Sequence, residues 1–336
     1  MFILILDLVE DFHTVEERRL HRIFCGLQAI EWFPDYSNGN IQILTRIAVP
    51  FFFCTSGYFL QKEYARSGCT AIASSLVKIF GLYAALSLVY FAVIFLQNPS
   101  LLYEPKKWML IDFLFNGSYY HLWYLVGVIY SVAVICMICK LGLLKMLFPL
   151  SMICYVVGLL GTSYYGIGSR LPGLCILFDS NWFLSIRRIF LMGLPFTVLG
   201  WVISEDRPKF SLTRKRLLFT TGLIAVLFAA EIITVTVLGV SKTIVITVFL
   251  YPLLFLLFNL CLAYSCEKQK RLAAACKDTA NVTYFWHPLV ILMLNRIITD
   301  RFLLFLVTTV ICLLIGLGYH ALKTQRRYPH EHLSNF

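Results

Sequence analysis

The sequence predicts an all-α fold, a polytopic transmembrane helical bundle of about ten helices with both termini in the cytoplasm. The first observation is composition: of 336 residues, 59% are hydrophobic and only 14% charged, with a mean hydropathy of +0.78. A water-facing surface needs more polar residues than this, so an ordinary soluble globule is excluded. The second is the recurrence of apolar runs long enough to cross a bilayer. The third is the placement of lysine and arginine in alternate connections, the mark of cytoplasmic loops.

A helix needs roughly 20 mainly apolar residues to cross about 30 Å of hydrocarbon. Such runs lie at 41–60, 71–96, 122–139, 141–160, 183–203, 217–239, 243–265, 282–298 and 302–319. A weaker tenth at 20–34 carries Arg22, Gln28 and Glu31 and would insert only with help from its neighbours. With the N-terminus inside, the inner connections hold Arg18 and Arg19, Lys62 and Arg66, Lys140 and Lys145, then the clusters around Arg214, Lys270 and Lys323. The outer ones hold far fewer, chiefly Lys106, Lys107, Arg170, Lys242 and Arg301. Removing or adding a central helix would put strong basic clusters on both sides, so this alternation also supports the count.

The formal net charge of +11 is spent in these short clusters, which argues against a nucleic-acid partner and for the lipid bilayer. The opening MFILILDLVEDF is apolar for too few residues to serve as a signal peptide. We therefore expect a cytoplasmic segment at 1–19, one transmembrane domain at 20–325 and a cytoplasmic tail at 326–336. The eleven cysteines are scattered through apolar stretches and suggest no disulfide framework. Cys136 and Cys139 have CxxC spacing, but they sit inside an apolar run with no further ligand nearby, so we expect buried thiols and no metal site.

Ionisable groups at membrane depth are costly and often mark function. Arg46 precedes IAVPFFFCTSGYFL, in which Pro50 removes a helical hydrogen bond; the residue either snorkels to the headgroups or meets an anion near the outer face. His121 follows Tyr119 and Tyr120 and precedes Trp123 at the mouth of a helix, as a belt residue or as a proton-transfer group titrating near neutrality. Arg187 and Arg188 are adjacent, so they point about 100° apart and cannot both snorkel along one face; at least one should meet an anion or a carboxylate. His287 stands before Pro288, which frees a backbone carbonyl one turn earlier. Lys78 is near enough to the inner end of its helix to snorkel, and Glu231 could pair with a cation. Phosphate loops, dinucleotide fingerprints, zinc-protease motifs and nucleophile elbows are all missing.

Three segments, TRIAVPFFFCTSGYFL (45–60), NGSYYHLWYLVGVIY (116–130) and VTYFWHPLVI (282–291), together resemble the acyltransferase family 3 integral-membrane proteins. The likeness runs from about residue 20 to 325 and is nearest to the membrane half of the vancomycin-resistance serine racemases, without a racemase domain. The resemblance implies a multi-pass protein of the bacterial plasma membrane, with acyl-CoA as cosubstrate and no bound cofactor. It would move an acyl group, acetyl in the simplest case, to a hydroxyl of an envelope polysaccharide or peptidoglycan-related acceptor.

In that reading Glu31, His121 and His287 are the catalytic candidates. Arg46, Arg187, Arg188, Tyr120 and Trp123 are the substrate-binding ones, and Lys78 and Arg66 lie on the acyl-CoA side. The family's first helix usually bears a basic residue and a catalytic histidine. Here the alignment puts Glu31 at the histidine position, or His13 in a second alignment, and Ser75 and Lys78 stand where the family has paired arginines. These departures leave room for a non-catalytic relic of the family, and Pro-interrupted helices for a carrier or flippase of a small polar or lipid-linked solute.

Overall fold

A computed structural model describes residues 39–97, 99, 107–206, 212–263 and 270–327. Glu31 and His13 lie outside the described residues, as does the weak helix at 20–34. The backbone at Arg46 is helical, but its side chain is not among those described.

The described chain is a succession of helices: α1 Gly39–Ser67, α2 Cys69–Gln97, α3 Lys107–Ile111, α4 Trp123–Lys140, α5 Leu147–Gly161, α6 Tyr165–Gly168, α7 Leu174–Phe178, α8 Phe183–Ile186, α9 Leu194–Asp206, α10 Arg214–Val237, α11 Leu250–Ala263, α12 Lys270–Leu294 and α13 Arg301–Arg327. Two π-helical stretches, Asp112–Asn116 and Arg187–Gly193, continue α3 and join α8 to α9. Helix is the form that lets a chain in hydrocarbon satisfy every backbone N–H and C=O within its own segment.

Among the described residues six helices are long and apolar enough to cross a membrane: Cys69–Gln97, Trp123–Lys140, Leu144–Gly161, Phe183–Glu205, Arg214–Val237 and Arg301–Gln325. These coincide with six of the expected runs. The runs at 41–60 and 282–298 belong to the longer helices α1 and α12, which fall outside that set. Both helices continue through their prolines, Pro50 and Pro288, so neither is broken in the way a carrier's discontinuous helices would be.

The run expected as a helix over 243–265 is corrected: α11 begins only at Leu250. Thr243, Ile244, Val245, Ile246, Thr247 and Val248 are all β-branched. Such side chains lose rotamer freedom against the preceding helical turn, and this stretch leaves the helix for an irregular path.

The chain forms two compact units, Val49–Leu260 and the remainder, of which Cys261 onward is the larger part. In the first, Phe51 and Tyr58 lie 5.4 and 5.3 Å from Phe258, and Phe53 lies 4.5 Å from Tyr124, ring centre to ring centre. Small residues set the closest approach. A methyl group at Gly57 of α1 would overlap the carbonyl oxygen of Thr197 of α9, and one at Gly200 would overlap that of Cys54. The two helices therefore cross backbone to backbone, the packing that small residues permit in a membrane. Outside this core, Val77, Phe80 and Leu88 of α2 and Phe219, Val226 and Val237 of α10 are exposed. An apolar surface of this extent suits lipid rather than water.

In the second unit α12 and α13 form a hairpin in which Gly316 meets the backbone of Thr279. The buried Asp278 carboxylate accepts from Nδ1 of His320 at 2.6 Å and from Nζ of Lys323 at 3.0 Å.

Candidate functional site

Tyr120, His121 and Trp123 lie where the connection from α2 enters α4. Tyr83 and Ser87 of α2 hold the connecting loop: the Tyr83 hydroxyl donates to the carbonyl of Phe113 at 2.5 Å and accepts from the Ser118 N–H at 3.2 Å. Ser118 in turn donates to Ser87 at 2.7 Å. One helical turn further, Tyr90 stacks on Tyr119 at 4.6 Å and meets the His121 ring edge-on at 4.9 Å. Tyr119 and Tyr120 add contacts at 5.8 and 5.5 Å. His121 is thus enclosed by three tyrosine rings and only 7% exposed, whereas Tyr120 is 61% exposed. The histidine is interior, not a member of a lipid-facing belt.

Two residues along, the Trp123 ring carries the Arg188 guanidinium 5.0 Å above its centre. A planar guanidinium on an indole face is the most favourable cation–π pairing. Arg188 is half-buried and, among the described residues, has neither a carboxylate nor a hydrogen-bond acceptor. Arg187 takes a different course: its Nη1 donates to Oγ1 of Thr243 at 3.0 Å. The two arginines do diverge as their adjacency requires, one onto an aromatic face and the other onto a hydroxyl. The π-helical stretch that begins with them is a local widening of the kind often found at functional sites.

Thr243 belongs to the irregular segment 239–249 between α10 and α11. Gly239, at φ +62°, turns the chain out of α10 in the left-handed region that suits glycine. Glu231 of α10, expected to pair with a cation, holds this segment instead. One carboxylate oxygen accepts from the Val248 N–H at 2.6 Å and the Tyr164 hydroxyl at 2.7 Å. The other accepts from the Phe249 N–H at 2.9 Å. These N–H groups open α11, so Glu231 caps another helix, where backbone donors and the helix dipole both favour a negative group. That is how a carboxylate only 8% exposed is accommodated without a cation. Burial first, and then the Glu231 carboxylate, raise the Tyr164 phenol above its ordinary pKa and keep it a donor.

Toward solvent, Lys242 donates to the Phe178 carbonyl at 3.0 Å and to the Asp179 carboxylate at 2.9 Å, while Tyr165 donates to the same carboxylate at 2.8 Å. The Lys242 bond first, and then that of Tyr165, hold the Asp179 carboxyl below its ordinary pKa.

Other candidates stand apart. Lys78 is twelve residues before Tyr90 on α2, about 18 Å along the helix axis. Arg66, in the last turn of α1, pairs with Glu63 at 3.7 Å. His287 belongs to the second unit, where its Nδ1 lies 3.0 Å from the carbonyls of Thr283 and Tyr284. Both neighbours are acceptors, so Nδ1 carries the proton. The Tyr284 carbonyl is the one deprived of a helical partner by Pro288. Cys136 and Cys139 are buried free thiols.

Sequence reasoning missed Thr243, Lys242 and Asp179 as members of this site. Their only signal was the β-branched run from Thr243, a poor helix former beside a polar loop.

The acyltransferase domain family matches residues 25–319. The chain is similar to an amino-acid racemase of Enterococcus faecalis, 28% identical over 246 residues that make up 70% of this chain and 33% of that protein. A second amino-acid racemase of the same organism is 31% identical over 172 residues, 48% of this chain and 24% of the relative. A serine/alanine racemase of Enterococcus gallinarum is 26% identical over 272 residues, 76% and 37% of the two chains. The chain thus spans well under half the length of these relatives. No solved structure matches it.

Proposed function

The chain belongs to acyltransferase family 3, whose domain covers residues 25–319, and on that premise we propose that this membrane acyltransferase moves an acyl group from cytoplasmic acyl-CoA to a hydroxyl of a cell-envelope sugar or related acceptor. The setting is a bacterial plasma membrane, with the Tyr120, His121 and Arg188 end of the bundle facing outward. In the transfer the acceptor oxygen attacks the thioester carbonyl, a C–O bond forms, the C–S bond breaks, and the acceptor proton passes to a base while the thiolate leaves.

His121 is the base in this reading. Its aromatic enclosure leaves the imidazole buried, and the exposed Tyr120 ring beside it is the contact offered to an acceptor. Glu31 and His287 remain the other proton-transfer candidates, and Arg46 a further anion contact. Arg188 supplies positive charge to the oxyanion that develops on the carbonyl, with Trp123 fixing its plane. Lys78 and Arg66 attract the anionic acyl-CoA from the other end. The observation that carries the proposal is Arg188: a half-buried guanidinium held on an indole, with no acid beside it among the described residues, is a ready partner for an anion.

Membranes containing the protein should pass label from acetyl-CoA to envelope material. His121→Ala should lose at least about tenfold in rate, the low end of a general base's contribution. Arg188→Ala should lose on the order of a hundredfold, the scale of one oxyanion donor. Full activity in both variants would overturn the assignment of these residues.

A further inference from the structure

Glu231 is buried in α10, and a carboxylate there is costly. It approaches no candidate substrate group. What it does is hold Val248 and Phe249, the last two residues of the segment 239–249. The segment is fastened along its whole length. The Val240 carbonyl accepts from the Gly166 N–H at 2.8 Å, and the Lys242 N–H donates to the Thr162 carbonyl at 3.1 Å. The Lys242 side chain bonds Phe178 and Asp179. The Thr247 carbonyl accepts from the Tyr155 hydroxyl at 2.5 Å. Thr243, near the middle, holds the Arg187 guanidinium. A nonhelical stretch packed among helices is tolerated where its backbone groups find such partners, and here they come from Tyr155 of α5, Thr162 just after it, Gly166 of α6 and Glu231 of α10.

We infer that Thr243 and Glu231 are positioning residues for Arg187: the segment is a strap, Glu231 its anchor, and Thr243 the point at which it sets the guanidinium. The hydroxyl accepts one N–H of the fork and so fixes its direction, and a threonine oxygen brings no negative charge of its own to neutralise the arginine. The purpose given to Arg187 rests on the acyl-transfer reading; the fixing of its side chain by Thr243 and Glu231 does not.

The test has two readouts on the full-length protein in detergent or native membranes. The first is independent of catalysis: modification of Arg187 by phenylglyoxal, followed by mass spectrometry of the peptide carrying it. Thr243→Val should raise that rate at least about threefold, since it removes the acceptor while keeping the shape. Thr243→Ser should restore the wild-type rate, and Glu231→Gln, which turns a carboxylate oxygen into a donor facing an N–H, should act like Thr243→Val. Equal rates in wild type, Thr243→Val and Glu231→Gln would overturn the inference, and if Glu231→Gln fails to fold, Thr243→Val alone decides it.

The second readout is label transfer. Thr243→Val should lower it about fivefold with Arg187 present and by less than about twofold in an Arg187→Ala background, the coupling that a double-mutant cycle isolates. The same loss in both backgrounds would mean that Thr243 acts only on the scaffold. If wild type transfers no acyl group while Arg187 still becomes more reactive in Thr243→Val, the strap stands and the acyltransferase reading falls.

Discussion

At the residue scale, a buried ionised group survives either beside an opposite charge or among enough hydrogen bonds, and this chain uses both solutions. Asp278 has the first, with Lys323 beside it; Glu231 has the second. Removing the Glu231 side chain strands two backbone N–H groups and a phenol, so Glu231→Ala should cost about 2 kcal/mol or more in unfolding measured in detergent.

Asp179 is exposed and differs in kind. Its carboxyl is held below the ordinary value of 3.8, so its stabilising effect is fully present above that value and disappears as pH falls through the lowered one. The melting temperature of wild type should exceed that of Asp179→Asn by a constant small margin at neutral pH, and the margin should vanish in acid. A margin that grew in acid would contradict the assigned bonds. Sequence could single out Glu231 as an anomaly because a lone acid in an apolar run is conspicuous. It could not name the partners, because backbone N–H groups leave no mark in a sequence.

At the element scale, helices whose apolar runs stand between clear breaks were legible: 71–96 became Cys69–Gln97 and 122–139 became Trp123–Lys140. The run at 243–265 was not, since hydropathy is blind to the backbone preferences of β-branched residues. The start of α11 shows what took over. The Thr247 carbonyl accepts from the Leu250 N–H at 3.2 Å, as a cap residue's would, yet its hydroxyl is buried without a partner among the described residues, because Glu231 supplies the acceptor instead. Thr247→Val should therefore cost less than about 0.5 kcal/mol, below the roughly 1 kcal/mol usual for losing a threonine cap; a full cap penalty would show that the hydroxyl, not Glu231, is the acceptor. The crossing of α1 and α9 makes the opposite demand. Gly57→Ala or Gly200→Ala forces a methyl into a facing carbonyl and should destabilise the first unit on the order of 3 kcal/mol. Wild-type unfolding in either variant would contradict so close an approach.

At the scale of the whole molecule, composition already required lipid as solvent, and the six helices fit to cross a membrane among the described residues, with broad apolar faces on α2 and α10, agree with it. The family was legible too: the three segments that carried the resemblance, 45–60, 116–130 and 282–291, all lie within the matched residues 25–319. The candidate site was only partly legible: Arg188 lies on the Trp123 ring and His121 among tyrosines, while Arg187 turns to a threonine that no motif contains. Side-chain direction on a π-helical turn depends on tertiary neighbours, and a linear pattern does not encode those.

Acyl transfer to the envelope is the claim on which the functional account turns, and it is met most directly by mass spectrometry of surface polymers from cells with and without the gene. The account predicts that the gene adds the mass of one acyl group to a hydroxyl-bearing component, and that His121→Ala and Arg188→Ala largely abolish the addition. Identical polymers in every strain, with no transfer from any acyl-CoA to membranes that contain the protein, would contradict it.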